Sequence, residues 1–269
     1  MSARAPVTAL YVPGSRPDRF DKAATSGADV VILDLEDAVA PADKPAARAD
    51  VVAWLAAGGP PAAALVAVQV RINALTTPWG ADDLAALPQG VDVRVPKVQT
   101  AADLEASGSR DLHAIIESAA GVEGAYDLAR HPRVRSLALG EADLAADLGV
   151  SDESALSWVR MRLVVAARAA GLPAPMMSVF ATIGDLDGLA ASCAAGRALG
   201  MRGRTAIHPS QLPVIRRAFA PSRAELAWSD EVLSALETAG GGVAVLRNGA
   251  MVDAAMARRA RDLLDRSGS

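Results

Sequence analysis

Cysteine is nearly absent: Cys193 stands alone, which excludes an internal disulfide and any cysteine-based zinc site. The histidines His113, His131 and His208 lie far apart, and no H-E-x-x-H pairs two of them. Aromatic residues make up 3% of the chain, so the core has to be built from Ala, Val and Leu. No apolar run reaches the ~18 residues of a membrane span. The opening segment MSARAPVTALYVPGS lacks the apolar core of a signal peptide, and the expectation is a soluble cytoplasmic protein with no membrane partner. Basic runs are missing as well. Lys and Arg number 27 against 31 Asp and Glu, a net charge of −4, which argues against nucleic acid as a partner. Neither a G-x-x-x-x-G-K-[ST] nor a G-x-G-x-x-G phosphate loop occurs, nor a G-x-S-x-G nucleophile elbow.

What the chain does have is apolar residues, 51% of 269, arranged in a repeating pattern. Short apolar runs alternate with longer amphipathic stretches. The runs are Ala9–Pro13, Val30–Glu36, Val66–Asn73, Asp92–Val98, Leu112–Ser118, Arg135–Glu141, Ala174–Phe180 and Arg204–His208. The sixth is expected to lead through a loop into a long helix near Ala155–Ala170. Runs rich in Val, Ile and Leu without strict alternation suit strands buried on both faces. Eight strand–helix units predict an α/β fold, a (β/α)8 TIM barrel over residues 1–220, whose usual size is about 250 residues. The alternative is a doubly wound sheet of five or six strands with an extra domain. Residues 221–269 exceed what a barrel needs. They read as a helix near Arg223–Thr238, a Gly-rich turn, a short strand VAVLRNG and a last helix, a helical extension that closes one barrel end or contacts a neighbouring subunit.

Barrel active sites lie beyond the C-terminal strand ends. Those ends carry Arg16, the run Asp34-Leu35-Glu36-Asp37, Arg71, Lys97, Glu117, Asp143 and His208. So many charges are costly in a buried ring unless they are paired or bind something. Glu117 and Asp143 follow adjacent strands and can converge. With no His or Cys cluster, two carboxylates suit an oxygen-only site for Mg2+ or Mn2+, unless each merely caps a helix. Arg71 suits bidentate carboxylate binding or a structural ion pair with Glu36 or Asp37. His208 reads as a satisfied core histidine ahead of a ligand or base.

The segments LYVPGSRPDRFDKA, VVILDLEDAV, KPAAR, VRIN, VPKVQTAAD, IIESAAGV, LGEADLAADLG, IGDLDGL, AIHPSQLPVIRRAFAPS and GAMVDAAM run nearly end to end. With DLEDAV and IHPSQ at this separation, the chain resembles the citrate lyase β-subunit-like family of the HpcH/HpaI aldolase superfamily. The resemblance implies a TIM barrel, Mg2+, coenzyme A thioester substrates and a homotrimer. It makes Glu117 and Asp143 the metal ligands and Arg71 the contact of the oxo acid or nascent enolate. Glu36 and Asp37 become the acidic pair beside the metal, while Arg16 and Lys44 fall on segments linked to the coenzyme A phosphates. Asp253 matches a C-terminal aspartate that related enzymes insert into the neighbouring subunit's site. Two departures stand out. Met177 replaces a frequent aspartate, and Glu141-Ala142-Asp143 inverts the usual Ala-Glu-Asp order.

The implied activity is Mg2+-dependent carbon–carbon cleavage of a 3-hydroxyacyl-CoA to a 2-oxo acid and an acyl-CoA, with citryl-, malyl-, citramalyl- and hydroxymethylglutaryl-CoA as candidates. Asp253 from the next subunit leads as proton acceptor and Glu36 follows. Thioester hydrolysis on the same site is the rival enzyme reading. A non-catalytic binding subunit is the third reading.

Overall fold

The computed structural model describes residues 5–267. The chain divides into two compact units, residues 1–218 and 219–269.

In the first unit seven of the eight apolar runs form strands, and most of the amphipathic stretches between them return as α-helices. The order is β1 (Thr8–Pro13), α1 (Phe20–Ala24), β2 (Val30–Asp34), α2 (Lys44–Ala56), β3 (Ala67–Arg71), α3 (Pro78–Ala86), β4 (Asp92–Val95) and β5 (Leu112–Ile116). There follow α4 (Ala119–Glu123), α5 (Ala125–Ala129), β6 (Val134–Leu139), α6 (Glu141–Leu148), α7 (Ser157–Ala169), α8 (Leu186–Ala198), β7 (Arg204–Ala206) and α9 (Leu212–Phe219). All strand pairs of this sheet are parallel, in the order β6-β5-β4-β3-β2-β1-β7. A crossover after each strand, helical except between β4 and β5 where a 3-10 segment at Ala101–Ser107 serves, is what makes parallel neighbours possible, because a tight hairpin cannot reverse the chain into parallel pairing. Burial on both faces shows in β2 and β5, where all five residues of VVILD and of LHAII are buried. The doubly wound alternative would need strands added on both sides of a starting strand; here the order runs consecutively from β6 down to β1.

The sequence pattern predicts eight strands, and the structure forms seven. The missing one is the run Ala174–Phe180, of which only Met176 and Met177 pair. Met176 bridges Ala138 of β6, and Met177 bridges Arg204 of β7, both in parallel. Pro173 and Pro175 have no N–H to give a ladder and can only accept, as Pro175 O does from Arg202 N at 3.0 Å. Forwards, the Ser178 carbonyl is taken by the Arg204 side chain (2.9 Å from Nε). A second correction lies after β6. The expected loop is helix α6, ended by Gly149 in the left-handed conformation.

The second unit packs α10 (Arg223–Thr238), begun by a Ser222/Glu225 capping box, with α11 (Ala254–Ser267). Between them the expected strand is two residues long. β8 (Ala244–Val245) pairs antiparallel with β9 (Met251–Val252). Val232, Leu236, Leu246, Val252, Ala257 and Ala260 form its core. Among the described residues no helix is long and apolar enough to cross a membrane.

Candidate active site at the strand ends

A cavity of about 490 Å³ opens at the C-terminal strand ends of the first unit. Its lining includes Arg71, Asp37, Glu117 and Asp143 from the candidate set, with Tyr11 and Met177.

Arg71 ends β3, and register places it beside Asp34 at the end of β2. The two form a fork: Arg71 Nε donates to Asp34 Oδ1 at 2.7 Å and Nη2 to Oδ2 at 2.6 Å. Nη1 donates to Asp37 Oδ2 at 3.1 Å and lies 3.1 Å from Glu36 Oε2. That last contact is an ion pair without hydrogen-bond geometry, so Glu36 Oε2 is buried with no hydrogen-bond donor. Tyr11 stacks its ring 4.7 Å beneath the guanidinium. Burial pulls the Arg71 guanidinium down, but Asp34, with Tyr11 and Glu36, outweighs it and holds the charge firmly. Among the described residues one N–H on each terminal nitrogen of Arg71 makes no hydrogen bond.

Glu36 is buried. Burial raises its carboxyl, Asp37 adds to the rise, and Arg71 and Lys97 oppose it. Lys97 Nζ donates to Glu36 Oε1 at 3.1 Å. Lys97 has φ +56°, a left-handed backbone rare for a residue with a Cβ. Its backbone N–H donates to Glu117 Oε1 at 2.6 Å.

Glu117 follows β5 and is buried. Burial, then the charges of Glu36 and Asp143, push its carboxyl up to about 7 against the pull of the Lys97 N–H. On the far side lies Gly140. A Cβ there would sit 2.5 Å from Glu117 Oε2, so only glycine leaves the carboxylate its place. Asp143 stands in the first turn of α6 and is exposed. Its neighbour Glu141 is committed elsewhere, accepting from buried Arg160 Nε at 2.8 Å. The sequence reading takes Asp143 of the two acids, and the Arg160 pair gives a physical reason to set Glu141 apart. Among the described residues no three of His, Cys, Asp and Glu group into a metal cage. Two convergent carboxylates, one destabilised by the charge of the other, still match Mg2+, which fills its other positions with water and substrate oxygens.

Lys44 does not suit the phosphate role. Its ammonium is buried and donates to Leu35 O (2.9 Å), Glu36 O (2.8 Å) and Asn73 Oδ1 (2.5 Å). Three acceptors use all three protons, so Lys44 ties the ends of β2 and β3 together. Arg16 is half exposed and forks onto Asp18, at 2.9 Å for both bonds. His208 is exposed, not a core residue. It caps the turn Pro209–Gln211 through Nδ1, and Gln211 returns the bond. Asp253, in the second unit, accepts from Ala255 N (2.8 Å) and Met256 N (3.2 Å) at the start of α11. Met177 packs its thioether against α8 at Gly196, where any Cβ would overlap the sulfur. Gly140 and the Lys97 N–H are contributions that sequence reasoning missed. Only the strand-end position of V-P-K and L-G-E hinted at them.

Known proteins resemble this chain over the whole of the site. A malyl-CoA thioesterase of Cereibacter sphaeroides is 37% identical over 249 residues, 88% of this chain and 86% of that protein. An L-malyl-CoA/β-methylmalyl-CoA lyase of Rhodobacter capsulatus is 35% identical over 300 aligned positions, 93% and 91% of the two chains. The crystal structure of Mycobacterium tuberculosis CitE with magnesium, acetoacetate and coenzyme A superposes with a TM-score of 0.86 at 35% identity, covering 98% of this chain and 99% of that one. The family model described as HpcH/HpaI aldolase/citrate lyase matches residues 8–209, which span every strand of the main sheet and the whole of its charged rim, and the chain belongs to that family.

Proposed function

We propose that this protein is a Mg2+-dependent carbon–carbon lyase that cleaves a 3-hydroxyacyl-CoA of the malyl-CoA type to a 2-oxo acid and an acyl-CoA. The observation that carries the reading is the Glu117 carboxylate, wedged against Gly140 and raised by the charge of Asp143, in a cavity that it lines together with Asp143 and with Arg71, which Asp34 holds. Glu117 and Asp143 hold the ion. Bound Mg2+ supplies Lewis acidity toward the substrate hydroxyl and its neighbouring carboxylate. A carboxylate of the chain takes the hydroxyl proton: Asp253 from a neighbouring subunit first, Glu36 second. As the hydroxyl oxygen becomes a carbonyl, the adjacent C–C bond breaks and its electron pair passes to the thioester enolate. The remaining N–H groups of Arg71 meet that negative charge or hold the substrate carboxylate, while Asp37 and Glu36 fix the guanidinium. Arg16 stays in place as a phosphate contact, because its pair with Asp18 is exposed and such pairs contribute little.

The same reading takes residues 1–220 as a complete (β/α)8 barrel whose seventh stave is the Met176–Met177 bridge, and residues 221–269 as an arm that reaches a second copy. α7 supports assembly into a homotrimer. It exposes Trp158 (60%), Met161 (40%) and Val165 (55%) on one stripe, which a lone molecule has no reason to show. A soluble cytoplasmic enzyme acting on small acyl-CoA and oxo-acid molecules fits all of this.

Product analysis tests the proposal. With malyl-, citramalyl- or citryl-CoA and Mg2+, a lyase releases a 2-oxo acid and acyl-CoA in equal amounts. The thioesterase relative favours a second reading, hydrolysis on the same site. Free coenzyme A without any 2-oxo acid would establish that reading in place of the first. No turnover of any of the three, with Mg2+ bound, would leave a binding subunit.

A further inference from the structure

Arg94 is a buried cation in the cavity that forms no ion pair among the described residues. It lies on β4, in register with Arg71 on one side and His113 on the other, and is 3% exposed. Its Nε donates to Gln69 Oε1 at 2.6 Å. Gln69 Nε2 is 2.8 Å from His113 Nε2, and His113 Nδ1 is 2.7 Å from Ser136 Oγ. This relay pins the guanidinium from one side. Its two terminal nitrogens meet no acceptor among the described residues, yet Arg94 lines the cavity. The three other buried arginines are engaged: Arg110 on backbone carbonyls, Arg160 on Glu141 and Glu153, and Arg204 on Ser178 O and Ser192. Burial and the like charge of Arg71 both weaken the Arg94 guanidinium, and only Tyr11 opposes them. A buried, unpaired, pre-positioned guanidinium is expensive to keep, and a bound anion removes that expense.

We infer that Arg94 is a specificity-determining residue, the receptor for a second carboxylate on the oxo-acid half of the substrate. This rests on the lyase reading above. Arg94 stands in register with Arg71, the residue proposed to meet the oxo acid, and both line the cavity with Glu117 and Asp143. One carboxylate of the oxo acid chelates the ion. A second carboxylate, turned away from the ion, has Arg94 as its receptor. A monocarboxylic oxo acid leaves Arg94 unpaired, so a dicarboxylic 2-oxo acid and its hydroxyacyl-CoA are preferred.

Calorimetry on the full chain, with Mg2+ present, compares oxaloacetate with pyruvate. Wild type is expected to bind oxaloacetate at least tenfold more tightly. Arg94→Met should erase that preference by weakening oxaloacetate alone, with pyruvate and Mg2+ affinity unchanged, and Arg94→Lys, which keeps the charge but loses the fork, should fall between them. No preference in wild type overturns the inference, as does equal weakening of both acids in Arg94→Met, which would place the chelating carboxylate on Arg94. Should Arg94→Met fail to fold in a melting scan, Arg94→Lys and the wild-type ratio decide. Malonate titrated without metal separates this inference from the lyase reading. If wild type binds malonate and Arg94→Met does not, the anion receptor stands even where no Mg2+-dependent binding is found, and the lyase reading alone fails. Mg2+-dependent pyruvate binding, with malonate indifferent to Arg94, leaves the lyase reading intact and sinks the receptor.

Discussion

Gly140 carries no functional group, yet it decides where a carboxylate stands. Its φ of −95° suits any residue, so the demand for glycine comes from Glu117 alone. Gly140→Ala would press on Glu117 Cβ at 2.6 Å as well as on Oε2 at 2.5 Å, so it should shift the ends of β5 and β6 apart and displace the carboxylate. Overpacking of this kind costs about 1–3 kcal/mol of stability, while Mg2+ affinity is expected to fall at least tenfold by calorimetry. Glu117→Gln separates charge from shape. It removes a carboxylate that its neighbours destabilise, so the metal-free protein should melt at the same temperature or slightly higher, and Mg2+ binding should drop steeply. Unaltered Mg2+ affinity would refute the ligand assignment. The contrast with Lys44 is instructive. Both residues sit in motifs of the family, but a motif does not say whether a charged group faces outward or is already saturated. Three acceptors around one ammonium answer that for Lys44.

Among the elements, β1 is the seam of the sheet, paired with β2 on one side and β7 on the other. Asp29, just before β2, anchors it. Its Oδ2 accepts from Val7 N (2.9 Å), Thr8 N (2.8 Å) and Thr8 Oγ1 (2.9 Å), and Arg216 of α9 pairs with Oδ1 at 2.9 Å. Burial raises this carboxyl, but the bonds from Thr8 and Val7, with Arg216, outweigh it and leave it below the ordinary value. The folded state thus holds the ionised form more tightly than the unfolded chain does. That stability is fully present above the unfolded value near 4 and is lost as pH falls through the lower folded value. Asp29→Asn is expected to lower unfolding stability by about 1–3 kcal/mol at pH 7, the usual worth of charged hydrogen bonds. The deficit should shrink below pH ~4. A deficit that stays constant from pH 7 to 3 in denaturant titrations would refute the account. The seventh predicted strand failed for a reason also present in the sequence. Prolines at 173 and 175 weigh more than the apolar character of MMSVF, because a strand needs donors as well as side chains.

For the whole molecule, the prediction is assembly. Sedimentation should show a trimer at micromolar concentration, and Trp158→Glu, which charges the α7 stripe, should shift it toward monomer without lowering the melting temperature of the separated chain. Asp253→Asn tests the arm. Asparagine caps a helix about as well as aspartate, so stability should be unchanged and turnover should fall by orders of magnitude if the carboxylate works in a neighbour's site. Mixing inactive Asp253→Asn with inactive Arg71→Ala should restore partial activity, because some mixed assemblies combine both wild-type residues in one site. No recovery despite proven subunit exchange would place both residues in the same subunit's site.

The order of strands and helices was legible from the chain alone, because burial on both faces of a parallel strand leaves an unbroken apolar run, and the helix that must follow shows as a polar-faced stretch. The acidic and basic residues of the rim were legible too, since charges at the ends of buried strands have few reasons to be there. What only tertiary structure decided is which of those charges are already spent. Glu141 and Asp143 stand two residues apart, yet Arg160 claims one and leaves the other at the cavity. Arg94 reads in sequence as one more arginine in DVRVP, and only folding places it across from Gln69 and, among the described residues, without an ion pair. Pairing of charges is a matter of distances between residues far apart in the chain, and no local pattern records it.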